Sequence, residues 1–267
     1  MEPNDRSGTN KNRIYFARTY RHLKVNRSEC LIFLLLFILP SLLLLLFFYD
    51  ELTWLMAMGA ARILQAAEGL QAELNAGVFL PLLGPTYYLV LPTRQPDYPL
   101  ILGNLAISLG LVWLLSTGPR KGRPVAIYLS IILLIHTMAC IFFLLGKDRL
   151  PYTMEDFSDL YVKQQIGIWI TFLVLIGLVM GLLGRGGLLR RAFTVVFIML
   201  YSFLFGFIRY VLFLWVLYRF SVLYMPLMFF ALGPFFDFLY FVSIYSISIN
   251  GMIRIYESKM KGEWLWA

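Results

Sequence analysis

The side chains able to do chemistry are few in this sequence, and most stand far apart. His136 and Cys140 are four residues apart, so on a helix they share one face, and both are ligand types for a soft or borderline metal. Two ligands do not complete a metal site, and no other His or Cys lies outside the N-terminal region. A helix-packing role is the better expectation for this weak polar site. Glu155, Asp156 and Asp159 form the most acidic patch of an outward loop. They are oxygens of the kind a hard cation takes, but three carboxylates on one loop are usually a solvated face. Neither a metal nor a cofactor is expected. Arg209 and Asp237 are ionisable residues inside apolar runs, where a charge costs at least ~2.5–3.5 kcal/mol and normally faces protein, water or a partner. At ~1.5 Å per residue from an outer turn, Arg209 is expected ~15 Å deep and Asp237 ~22 Å deep, an offset that a long arginine can bridge. The pair is either a structural bond between adjacent helices or a proton or substrate relay. No Gly-rich phosphate loop, HExxH, GxSxG or CxxC occurs.

The elements that must position these residues follow from composition. Of 267 residues, 60% are hydrophobic, 17% aromatic and 14% charged. Soluble domains run nearer 45–50% apolar and ~25% charged, so a water-soluble globule and a disordered chain are excluded. Two cysteines exclude a disulfide scaffold. The net charge of +8 sits in short loops between apolar runs. A nucleic-acid surface would gather it on one face, so no nucleic-acid partner is expected and the bilayer is the first partner.

A bilayer core about 30 Å thick takes roughly 20 apolar residues, and six stretches qualify. They run at about 31–49, 100–115, 124–145, 166–183, 192–218 and 222–249. The fold class expected is an all-α polytopic membrane protein with about six spans, an outer amphipathic helix and a short hairpin-like segment. Its organisation reads as a basic tail over 1–29 and a four-span core over 30–183, with an outer helix-hairpin loop at 50–99 and an acidic outer loop at 147–165. Two long aromatic-rich spans over 184–250 and a tail over 251–267 follow. Pro226, Gly233 and Pro234 predict a bend in the sixth span. Arg6, Lys11, Arg13, Arg18, Arg21, Lys24 and Arg27, then Arg120, Lys121 and Arg123, Arg185, Arg190 and Arg191, and Arg254, Lys259 and Lys261 fall on one side. The opposite side carries fewer cations over more loop, which places both termini in the cytoplasm. About thirty mostly polar residues precede the first span, so it is expected to be retained rather than cleaved as a signal peptide. Cys30 and Cys140 fall on different levels, so no disulfide is expected.

On the outer side, Ile63, Ala66, Ala67, Leu70 and Leu74 follow helical spacing, with Arg62, Gln65, Glu68 and Glu73 opposite. Such a helix can lie along the headgroups or pack on the outer face. Val78–Leu83, a Gly84-Pro85-Thr86 turn and Tyr87–Leu91 then predict a short hairpin or extended segment, with Pro81 confining any strand to an edge. Thr153 with Asp156 three residues on predicts a short capped helix. The aromatics of the last two spans are spread around every face, which suits lipid contact or packing against another membrane subunit.

The first span, the Ala60-Ala61-Arg62-Ile63-Leu64-Gln65 helix and the Val78–Leu91 stretch resemble the segment preceding the active site in exosortases and archaeosortases, which are membrane-embedded, sortase-like transpeptidases. The run Arg123-Pro124-Val125 through Ile135-His136-Thr137-Met138 looks like their arginine-bearing helix, and Met154–Asp159 like the segment carrying their histidine. The resemblance covers about 31–183. It implies a cysteine nucleophile, an arginine and a histidine, but no cysteine stands around Gln95-Pro96-Asp97-Tyr98, the arginine position falls near Thr137–Cys140 and the histidine position near Met154. What it implies is therefore a non-catalytic membrane protein of the kind that accompanies exosortases.

Three functions follow as expectations. The leading one is a non-enzymatic subunit of the bacterial inner membrane that scaffolds or assists an envelope protein-sorting, export or polysaccharide-assembly complex, with a membrane-protein partner or a second copy of itself. The second is a transporter or channel subunit using Arg209 and Asp237. The third is a degenerate sortase-like membrane enzyme.

Overall fold

The computed structural model describes residues 27–81, 83–92, 94–117, 123–146, 152–182, 188–231 and 233–260. The basic N-terminal tail, the loop cations Arg120, Lys121 and Arg185, and Lys261 lie outside the described residues. The chain is mostly helical.

The described residues open with a helical rod made of α1 (Arg27–Phe33), a π-turn (Leu34–Ile38) and α2 (Leu39–Glu68). Pro40 has no N–H for the carbonyl of Leu36, and its ring crowds that carbonyl, which is why the winding widens here. The separate outer amphipathic helix expected after the first span is instead the far half of this rod. Nothing between Tyr49 and Glu68 breaks a helix, and the rod ends only where Gly69 takes φ 66°. From Cys30 to Glu68 the rod has 39 residues, about 58 Å at ~1.5 Å each, nearly twice a bilayer core. Its buried stripe also differs from the expected one. Met56, Ala57, Ala60 and Leu64 are buried, whereas Ile63, Ala66 and Ala67 are exposed and Leu74 belongs to a strand. The small residues let α2 approach α6 so closely that a Cβ on Gly59 would sit 2.9 Å from the Phe207 ring.

Strands β1 (Glu73–Val78) and β2 (Pro85–Val90) pair antiparallel, from Glu73 opposite Val90 to Val78 opposite Pro85. This corrects the expected hairpin, whose first strand began at Val78. Pro81 cannot donate to a ladder, so the apolar residues 79–81 leave the strand and belong to the connection. Phe79 turns inward, with its ring 6.0 Å from that of Tyr49, and the Tyr49 hydroxyl donates to the Gly84 carbonyl.

Helices α3 (Tyr98–Thr117) and α4 (Arg123–Gly146) pack on each other as a peripheral pair. The main contacts of α4 beyond this pair are with segment 222–231. Helix α5 (Met154–Leu182) absorbs most of the expected acidic outer loop and begins twelve residues before the expected fourth span. The Thr153 N–H and hydroxyl donate to Asp156 Oδ2 (2.7 and 2.8 Å), and the Asp156 N–H returns a bond to Thr153 Oγ1 (3.4 Å), so the capping pair opens a 29-residue helix rather than a short one.

Helix α6 (Leu188–Arg219) lies against α2, α5 and α7. After it come a 3-10 turn (Val222–Tyr224), a π-turn (Leu227–Ala231) and α7 (Pro234–Met260), so the last apolar run is broken ahead of Pro234. Three hydroxyl and charge contacts set α7 antiparallel to α6: Arg209 with Asp237, Ser202 with Tyr240, and Thr194 with Ser248. Among the described residues, five helices are long and apolar enough to cross a membrane, while the apolar stretch of α7, Phe236–Ser248, is shorter.

The long helices α2, α5 and α6 hold the hairpin between them. The Tyr87 N–H donates to Thr53 Oγ1 of α2 (3.2 Å), and the Leu89 N–H donates to the Tyr210 hydroxyl of α6 (2.9 Å), which also bonds Ser158 Oγ of α5 (2.7 Å). Leu89, Thr53 and Ser158 are fully buried. Removing the hydroxyl with Tyr210→Phe leaves the Leu89 N–H and the Ser158 hydroxyl unpaired in the core. The expected loss is ~1–3 kcal/mol, read as a lower thermal midpoint in detergent and faster hydrogen exchange at the Leu89 amide. Unaltered exchange at Leu89 would contradict the clamp.

Candidate functional site

The polar centre of the molecule is Arg209. Its side chain is 7% exposed, and its guanidinium spends its donors on three neighbours. Nε donates to the Tyr161 hydroxyl, Nη1 to Asp237 Oδ2 (2.6 Å) and Nη2 to Gln165 Oε1 (2.8 Å). The guanidinium carbon lies 5.5 Å from the Tyr161 ring centroid and 5.9 Å from that of Phe205, cation–π distances that offset part of the desolvation.

Local sequence explains each position. Tyr161 and Gln165 are i,i+4 on α5 and face α6 together. Gly206, one turn before Arg209, leaves room for Gln165, because a Cβ there would lie 2.6 Å from its amide. Asp237 stands in the first turn of α7, where the unpaired N–H groups favour an anion. Its own N–H donates to the Gly233 carbonyl (3.2 Å), and a Cβ on Gly233 would sit 2.6 Å from the Phe229 carbonyl oxygen. Residues 222–231 run through the 3-10 turn and the π-turn before α7 begins at Pro234, and the expected pairing of Arg209 with Asp237 forms between α6 and α7 at 2.6 Å.

The other expected site residues go elsewhere. His136 Nε2 lies 3.2 Å from Asn104 Oδ1 of α3, and its ring stacks on Tyr224 at 5.4 Å. The Tyr224 hydroxyl donates to the same Asn104 oxygen (3.0 Å), which joins α3, α4 and the turn after α6. Cys140 is buried one turn further along α4, and Cys30 packs against Gly181 of α5. Neither His136 nor Cys140 bonds the Arg209 cluster. The three carboxylates of the acidic patch do separate work. Glu155 Oε1 accepts from Asn75 Nδ2 (3.0 Å) and from the Tyr88 hydroxyl (2.9 Å), Asp156 caps α5, and Asp159 pairs with Lys163 at 2.5 Å. Burial, and then the bond to the Glu155 carboxylate, push the Tyr88 hydroxyl above its ordinary pKa, so it stays a donor. Among the described residues, no group of three His, Cys, Asp or Glu side chains is placed to hold a metal ion.

Several members of the polar core were not singled out from the sequence. Tyr161, Gln165, Tyr210, Ser158, Thr53 and the Tyr240–Ser202 pair are all buried or bonded inside it. One signal was available on α6, where Ser202, Gly206 and Arg209 recur at i, i+4 and i+7 as a polar and small-residue stripe in an otherwise aromatic helix. Asp237 Oδ1 and Gln165 Nε2 are buried with no protein partner among the described residues.

The described residues form a helical protein with five helices long and apolar enough to cross a membrane, a hairpin docked among three of its helices and a buried arginine bonded through each of its three side-chain nitrogens. No protein-family model, curated protein or solved structure matches the chain. Breaking the pair from one side should be costly. Arg209→Met or Asp237→Leu alone is expected to destabilise by ~3–5 kcal/mol by stranding a buried charge, and the double substitution by less than the sum. Thermal unfolding of the four proteins in one detergent measures this coupling.

Proposed function

We propose that this chain is a non-catalytic integral membrane subunit that scaffolds or assists an envelope protein-sorting, export or polysaccharide-assembly complex of the bacterial inner membrane. The single observation that carries the proposal is the use of Arg209. Its Nε, Nη1 and Nη2 are each bonded to protein, which suits a brace between α5, α6 and α7 better than a group offered to a passing substrate. No nucleophile with an adjacent base accompanies it among the described residues; Cys140 is buried on a different helix. The bonded hairpin, held on three helices, is a rigid platform of the kind a partner can read.

In this proposal α7 is the sixth crossing and both termini are cytoplasmic. The contacts from Arg209–Asp237 to Thr194–Ser248 follow α6 for about 22 Å at ~1.5 Å per residue, most of a bilayer core, which supports a full return. The likeness of residues 31–183 to exosortases without their catalytic set supports the same assignment. Affinity capture of the full chain in mild detergent is expected to recover a stoichiometric membrane-protein partner or a second copy, and tags on either end are expected to be reached only from the cytoplasmic side. A strictly solitary monomer, or ends on opposite sides, would overturn it.

A transporter subunit is the second proposal, and the unpartnered Asp237 Oδ1 and Gln165 Nε2 favour it. In that case Asp237→Asn, which keeps shape and removes charge, abolishes flux in vesicles while leaving partner capture intact.

A further inference from the structure

The two edges of the hairpin are treated differently. The Tyr87 and Leu89 N–H groups point away from β1 into Thr53 and Tyr210, so their opposite numbers, Ala76 and Leu74, are the non-hydrogen-bonded pairs of the ladder. The main-chain groups of Leu74, Ala76 and Val78 must then point outward from β1. Among the described residues, no hydrogen bond reaches the main chain of Leu74 or Ala76. The side chains of all three are exposed, Val78 at 60%.

Exposed strand edges are ordinarily blunted with lysine, proline or a bulge. Strand β1 reads Glu-Leu-Asn-Ala-Gly-Val and has no lysine or proline, and its six pairs run without a bulge. The edge is also presented rigidly. Beneath it, Asn75 and Tyr88 are bonded to Glu155, and Gly77 lies so close to the Asp159 carboxylate that no Cβ would fit without movement. Glu73 heads the strand, and Glu155, Asp156 and Asp159 lie on the first turns of α5 below, with Lys163 paired to Asp159. The surroundings of the open edge therefore carry net negative charge.

We infer that the outward edge of β1 is a docking site for an extended, basic segment of a partner polypeptide, which adds as a third strand. Main-chain bonds to Leu74, Ala76 and Val78 supply the pairing, and lysine or arginine side chains of the incoming strand meet the carboxylates. This rests on the subunit proposal and names the chemistry of its partner.

The test uses hydrogen exchange on the full chain in lipid nanodiscs, with a synthetic peptide of alternating lysine and valine as probe and its glutamate–valine counterpart as control. The Leu74, Ala76 and Val78 amides are expected to exchange rapidly alone and to slow at least ~10-fold with the basic peptide, while the acidic peptide leaves them unchanged. Ala76→Pro removes one outward donor without touching the β1–β2 ladder. It is expected to weaken the probe about 10-fold, while Ala76→Val binds as the parent. Continued protection at the Leu89 amide certifies that the proline variant is folded; should it be lost, the wild-type exchange pattern decides alone. Absence of protection at these three amides, undiminished binding by Ala76→Pro in a folded hairpin, or equal binding of the acidic peptide would overturn the assignment. Protection that grows with the concentration of the chain alone would give the edge to a second copy and overturn it too. Failure here leaves affinity capture of a partner unaffected, whereas protection in a chain that captures nothing would count against the subunit proposal alone.

Discussion

A guanidinium withdrawn from water must be met by acceptors on every side or it will not stay folded, and that requirement organises the middle of this molecule. Arg209 sits on α6, but its acceptors come from α5 and α7. None of the three helices can shift along its axis without separating a bonded charge. The interaction adds little net stability once desolvation is counted. What it fixes is register, holding three otherwise greasy helices at one mutual height.

The same level of the structure ties the helices to the hairpin. Arg209 and Tyr210 are neighbours in sequence, so they leave α6 in different directions, one toward Asp237 and the other toward Leu89 and Ser158. Tyr161 joins the two by accepting from Arg209 and stacking on Tyr210 at 5.3 Å. Hydroxyls suit this work because each can donate and accept at once. An edge strand laid against apolar helices would otherwise leave its N–H groups unmet.

Overlong helices make the platform possible. A crossing needs roughly 20 residues, whereas α5 has 29 and α6 has 32. The surplus at one end of α2, α5 and α6 forms the cradle for β1 and β2. Among the described residues, the hairpin sits between the ends of three helices rather than in a domain of its own. The α3–α4 pair is attached differently, through Asn104, His136 and Tyr224. His136 thus joins helices at this contact, and Cys140 is buried one turn further along α4.

Composition and apolar run length alone determined that the chain is helical and suited to a bilayer, because burial in lipid leaves so few ways to satisfy a backbone. The capping pair at Thr153 and Asp156, the presence of a hairpin and the breaks around Pro226 and Pro234 were equally local, and each was legible. The rod joining the first span to its extension was not, since a polar stretch such as Asp50-Glu51 looks like a boundary while leaving helical geometry undisturbed. The hairpin register was missed because apolar residues at 79–83 suggested a strand, where the chain instead leaves the ladder after Val78. Only the tertiary structure decided that Arg209 would find Tyr161 and Gln165 as well as Asp237, and that one strand edge would be closed and the other left open. These are contacts between residues 28 to 121 positions apart, and nothing in local spacing records which faces of separate helices will meet.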